Sequence, residues 1–214
     1  MLPAQRVVRA LRRRGVDISN MRALEVFGFT GERFTKYYAP LVASLEVWEK
    51  QAPYEAGLRR NLPGAEIRIT DSFAEVARCE RTYDLIVVDN PIGELEHFDL
   101  FPHLFRLASQ DAVLVLLVTP EADARTRAHY PGVMSRNQLE RRRAFYGTDQ
   151  PGHIPLERMV QRYAQLAGEC GFALRWAFSV QRSELFGAIP RPLSLHYLVL
   201  SIARGEPQRP DSAE

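Results

Sequence analysis

Apolar residues along this chain gather into short, strand-length runs separated by stretches with helical spacing. The runs are Arg22–Phe27, Ala43–Trp48, Glu66–Ile69, Tyr83–Val88 and Ala112–Val118. Tyr83–Val88 is almost continuously apolar, the pattern of a central parallel strand covered on both faces. Between the runs, Pro3–Arg14 places Val7, Val8 and Leu11 on one helical face with arginines opposite. Thr35–Val42 predicts a helix whose regularity Pro40 limits. Pro53–Asn61 predicts another, stopped by Leu62-Pro63-Gly64. Helices over Ser72–Arg78, with Ser72 as cap, and Phe98–Ala108 complete five strand–helix alternations. That order predicts an α/β fold with a doubly wound, mostly parallel sheet.

After Pro120 the rhythm changes. A basic helix over Asn137–Phe145 sits among polar and proline-bearing loops, followed by a helix at Leu156–Gly168 and strands at Phe172–Val180 and Leu195–Ile202. The expected organisation is a helical extension over 1–21, an α/β domain over 22–203 with a lid insertion at 121–155, and a polar, disordered tail over 204–214.

Composition changes this picture little. The chain has 214 residues, 46% hydrophobic and 25% charged, enough for a substantial core, and its formal net charge of +2 does not by itself point to nucleic acid. Arg12–Arg14 and Arg141–Arg143 are local basic runs of the kind that usually form solvated helix faces. Cys79 and Cys170 show no metal-ligand spacing, which favours a reduced, cytoplasmic setting. The first twenty residues lack the apolar stretch of a secretory signal, and Ala112–Val118 is too short to span a membrane.

The candidate chemistry lies at strand ends. The first strand runs into a glycine turn, Glu25-Val26-Phe27-Gly28-Phe29-Thr30-Gly31, a place where backbone approaches a nucleotide-like ligand. Acids follow the next three strands at Glu49, Asp71 and Asp89. The order and spacing resemble the class I S-adenosylmethionine (SAM)-dependent methyltransferases, whose turn has the form Glu-Val-Gly-Cys-Gly-Thr-Gly. Glu25, Val26, Thr30 and Gly31 match it, while Phe27 and Phe29 stand at glycine positions with Gly28 between them. The resemblance covers about residues 22–203 and implies a Rossmann-like fold closed by a C-terminal antiparallel hairpin. It implies SAM as cofactor, held by Glu25, Phe27, Gly28, Thr30, Gly31 and Ser72, by Glu49 at the ribose hydroxyls and by Asp71 at the adenine amino group.

Each site residue has a plainer alternative. Glu49 can be a solvated strand end, Asp71 a helix cap, and Trp48 core rather than adenine pocket. Asp89-Asn90-Pro91 partly matches the segment with which amino-directed methyltransferases orient a substrate nitrogen, but Ile92-Gly93 replace the second proline and aromatic. Glu96 or His97 is a candidate general base. His97, Asp99 and His103 lack any recognised metal spacing, so no metal is expected. Arg142, Arg143 and Tyr146 of the lid suit an anionic substrate. The expected function is methyl transfer to a small, anionic metabolite or glycan precursor. Two alternatives stay open: a non-catalytic binding protein whose turn Phe27 and Phe29 plug, and an RNA or DNA methyltransferase using the basic runs.

Overall fold

In the computed structural model the chain is described over residues 2–32, 34–89, 94–121, 136–182 and 194–205, with side chains described there except at 94–97, 121 and 194. Seven strands form one sheet: β1 (Arg22–Val26), β2 (Ser44–Glu49), β3 (Glu66–Ile69), β4 (Tyr83–Val88), β5 (Ala108–Glu121), β6 (Phe172–Gln181) and β7 (Ser194–Arg204). Their order is β3-β2-β1-β4-β5-β7-β6. The first five are parallel, and β7 inserts antiparallel between β5 and β6. The expected mostly parallel sheet with a closing antiparallel pair is the sheet observed.

Strand side chains alternate between two cores. Leu24, Val26, Trp48, Ile86, Val88, Leu114 and Leu116 face one way. There they meet α5 (Glu94–Arg106), α6 (Arg136–Tyr146) and α7 (Leu156–Glu169) through Phe101, Leu104, Phe105, Phe145 and Tyr163. Ala23, Leu45, Val47, Leu85, Val87, Val113 and Val115 face the other way. Their cover comes from α1 (Pro3–Arg12), α2 (Thr35–Tyr38) and α3 (Glu55–Asn61), whereas α4 (Ser72–Arg78) buries Val76 in the first core. Burying each large aliphatic side chain contributes about 1.5–3 kcal/mol, so this two-sided cover explains why β4 reads as a continuous apolar run. The α1 helix, expected as an extension, buries Ala4, Val7, Val8 and Leu11 in the second core.

Several boundaries differ from the sequence expectation. Pro40 confines α2 to Thr35–Tyr38, and a 3-10 turn takes Ala39–Leu41. Residues 52–54 likewise form a 3-10 turn, so α3 begins at Glu55. Helix α5 starts at Glu94 and tolerates Pro102 inside it, while β5 extends from Ala108 to Glu121, well beyond the purely apolar run. The cap of α4 is Asp71, not Ser72: its carboxylate accepts the Phe73 amide at 2.9 Å. The segment 122–135 of the expected lid and the tail beyond 205 lie outside the described residues.

Candidate active site

The connection after β1 leads toward one side of the sheet order and that after β4 toward the other, so the carboxyl ends of these neighbours form the topological switch point where open α/β sheets bind ligands. Val26 pairs with both Trp48 and Val88, which brings the turn after β1 beside the ends of β2 and β4.

The turn has the backbone of a glycine turn with phenylalanine in it. Phe27 has φ 64°, Phe29 φ 50° and Gly31 φ 68°, all left-handed. For a non-glycine residue this conformation costs about 1–2 kcal/mol, because Cβ crowds the backbone. Phe27 packs partly into the first core. Phe29 is 46% exposed, and its ring leans on Tyr54 at 4.3 Å between centroids. Gly28 is fixed by packing instead: a Cβ there would lie 2.2 Å from Val47 Cγ1. At Gly31 both reasons apply, since a Cβ would stand 2.8 Å from Leu62 Cδ1.

Glu49 ties this turn to β2. It is 6% exposed; one carboxylate oxygen accepts the Phe29 amide and the other the Gln51 amide, both at 2.8 Å. A carboxylate offers about four acceptor positions, so two remain. Asp71 caps α4 and pairs with Lys50 at 2.7 Å. That lysine, more than any other neighbour, holds its carboxyl below the usual range. Trp48 is fully buried and donates to Glu46 at 2.7 Å, so it belongs to the core and not to a pocket wall.

Glu25 and Asp89 form the second part of the site. Glu25 is 1% exposed and accepts hydrogen bonds from the hydroxyls of Thr35 and Tyr38, the latter at 2.6 Å. Burial, reinforced by the charge of Asp89, pushes its pKa up to about 8 despite those two bonds. The Tyr38 hydroxyl is raised well above its ordinary value, by burial first and by Glu25 next. Asp89 accepts the Tyr197 hydroxyl at 2.9 Å and meets the buried Arg182 guanidinium at 3.4 Å. Thus β1, α2, β4 and β7 bring Glu25, Tyr38, Asp89 and Tyr197 together with Arg182. Tyr38, Tyr197 and Arg182 escaped the sequence reading. The available signal was an arginine and a tyrosine set against strongly apolar strands, places that suit a buried carboxylate partner.

Other candidates fall elsewhere. Arg142 is 1% exposed, and its guanidinium donates to the carbonyls of Pro151 and Thr119, each at 2.8 Å. Tyr146 is buried beside Phe98, Phe145 and Tyr163. Both anchor α6 in the first core, whereas Arg143 is exposed. Asp99 pairs with Arg141. Asn90, Pro91 and the His97 side chain lie outside the described residues. Among the described residues no group of histidines, cysteines and acids is arranged to hold a metal, and no helix is long and apolar enough to cross a membrane.

No family model and no curated protein matches the chain. Solved structures do. M. jannaschii TYW2 in complex with AdoMet aligns at TM-score 0.59 and 12% identity, over 92% of this chain and 75% of that one. The putative RNA methyltransferase PH1948 from Pyrococcus horikoshii aligns at 0.57 and 14%, over 96% and 83%. Magnesium protoporphyrin IX methyltransferase (ChlM) from Synechocystis PCC 6803 with bound SAH aligns at 0.57 and 14%, over 94% and 81%. The fold is that of the class I methyltransferases. At such identities the likeness reaches the fold and stops there; what the class I frame does here rests on its own residues.

Those residues fit a nucleoside cofactor. Glu49 keeps two acceptor positions at the end of β2, and the turn keeps its left-handed backbone through two phenylalanines. Thr30 and Ser72 carry buried hydroxyl oxygens with no hydrogen-bond partner among the described residues.

Proposed function

We propose that this protein is a SAM-dependent methyltransferase working at the carboxyl edge of β1, β2 and β4. The observation that carries the reading is the left-handed backbone at Phe27 and Phe29. A drifting loop freed of ligand would relax such residues; strain of about 1–2 kcal/mol at each persists where surrounding structure and function hold it.

On this reading SAM, when bound, supplies an activated methyl group. Glu49 holds the ribose hydroxyls with its two remaining acceptor positions, and Asp71, fixed by Lys50, stands at the end of β3 for the base. Thr30, Gly31 and Ser72 contribute from the turn and the start of α4. Asp89, oriented by Tyr197 and Arg182, positions the acceptor, and Glu25, with a pKa of about 8, holds a proton at neutral pH beside it. Keeping Glu25 neutral spares the edge a second negative charge. Catalysis then comes mainly from alignment in a water-poor site. His97 remains the candidate base for an acceptor that must lose a proton.

A second reading, a repurposed binding protein, draws on Glu49, which is nearly buried and already holds two amides. Calorimetric titration with SAM and S-adenosylhomocysteine separates the two. Methyl transfer predicts micromolar binding that Glu49→Ala weakens by roughly 1–3 kcal/mol. Absence of binding at millimolar cofactor would favour the repurposed fold. The expectation of a small anionic acceptor leaned on the lid arginines, and the burial of Arg142 removes part of that support.

A further inference from the structure

A groove of about 510 Å³ runs between α1 and the edge strand β6, lined by Arg6, Arg9, Arg13 and Arg14 on one side and Phe178, Ser179 and Val180 on the other. Its volume is within the roughly 300–1,000 Å³ of ligand sites. Arg6, Arg9 and Arg13 fall at i, i+3 and i+7, a single stripe along roughly 10 Å of α1 and the αR residue Arg13 that caps its C-terminus. Neither residues 1–16 nor β6 contains an acid. The Arg9 and Arg13 guanidinium groups make no hydrogen bond or ion pair among the described residues, whereas Arg6 reaches the Gln181 carbonyl at 3.1 Å. Arg14 lies over the Phe178 ring at 4.2 Å, and Phe178 stacks near Trp176.

Two of these arginines belong to the run that sequence alone reads as a solvated helix face. The fold turns them instead toward a concave wall with half-buried aromatics. Four guanidinium groups with no acid paired to them among the described residues suit an anionic occupant, and aromatic faces beside them suit bases. The groove also leads somewhere: β6 ends at Gln181, and the next residue, Arg182, reaches Asp89 at 3.4 Å.

We infer that this groove docks a single strand of nucleic acid, its phosphates on Arg6, Arg9 and Arg13 and its bases toward Phe178 and Trp176. The strand then continues past Arg182 toward the edge at Asp89. Docking follows from the groove alone; presentation of the strand as methyl acceptor rests on the function proposed above.

The test is fluorescence anisotropy of the full chain with labelled RNA and DNA single strands and a duplex, without SAM. Failure of cofactor binding therefore leaves this result unaffected. Single strands should bind, and better than duplex. With three to four phosphates neutralised, affinity should fall about 20- to 50-fold between 50 and 200 mM salt. Arg9→Glu combined with Arg13→Glu should weaken binding at least tenfold. Both residues are exposed, and circular dichroism checks that the variant is folded. The RNA and DNA arms decide which strand is preferred. Affinity unchanged in the double variant would overturn the proposal, as would binding only to phosphatidylserine vesicles and not to oligonucleotides.

Discussion

Glu46 and Glu25 are buried carboxylates on adjoining strands, and they have opposite surroundings. Glu46, 4% exposed, gathers the Trp48 indole, the Tyr83 hydroxyl at 2.6 Å, Arg68 at 3.2 Å and Arg81 at 2.8 Å. Burial alone would raise it, but those four partners outweigh burial and hold it below its ordinary value. Glu25, just as buried, has two hydroxyls, no cation in its described hydrogen bonds, and the Asp89 carboxylate nearby. The first carboxylate is satisfied as a structural charge should be. The second is left perturbed at the switch point, beside the strained turn, where function concentrates perturbed groups.

The largest consequence concerns the satisfied side. Glu46→Ala leaves buried donors on Tyr83 and Trp48 without their acceptor, and should destabilise the protein by about 3 kcal/mol in urea unfolding. Because the folded pKa of Glu46 is lowered, its contribution is present above its ordinary value and is lost as pH falls through the folded value. Glu46→Gln should therefore weaken the acid dependence of stability.

At the turn, Gly28→Ala should lose about 2 kcal/mol by overpacking against Val47, and Val47→Ala should restore much of that loss in the double variant. Phe29 gives a smaller effect with an unusual sign. Glycine normally destabilises relative to alanine, but at φ 50° Phe29→Gly should be more stable than Phe29→Ala by about 1 kcal/mol. Equal stabilities would mean the turn relaxes when the ring is removed.

Glu25→Gln should have the least effect near neutral pH, where the native carboxyl is already largely protonated. Its folded pKa is raised from 4.5 to about 8, so its share of stability is full below 4.5 and is lost as pH rises through about 8. The variant should lack that loss and outlast the native protein on the alkaline side in pH-dependent thermal unfolding. An identical alkaline decline in both would place the titrating group elsewhere.

Much of the frame was legible because strand burial on two faces writes itself as apolar runs, as at Tyr83–Val88. Strand-end acids at Glu49, Asp71 and Asp89 were legible by spacing. The left-handed positions were legible only through resemblance: nothing in a phenylalanine announces positive φ, and Phe27 and Phe29 look like core residues. Partners across the sheet were not legible, since Tyr197 is brought to Asp89 by the insertion of β7 beside β5, a long-range pairing that local pattern does not encode. Nor could a run of arginines tell which of its members point into a groove and which, like Arg142, end in the core on backbone carbonyls.

The most direct test of the central claim is calorimetric titration of Phe29→Gly beside the native protein with S-adenosylhomocysteine. If the left-handed backbone at this turn is what the cofactor needs, Phe29→Gly binds with affinity within about threefold of native or tighter, a difference under about 0.7 kcal/mol. Binding by the native protein that Phe29→Gly loses would place recognition in the phenyl ring and contradict the account, and binding by neither would remove the cofactor from it altogether.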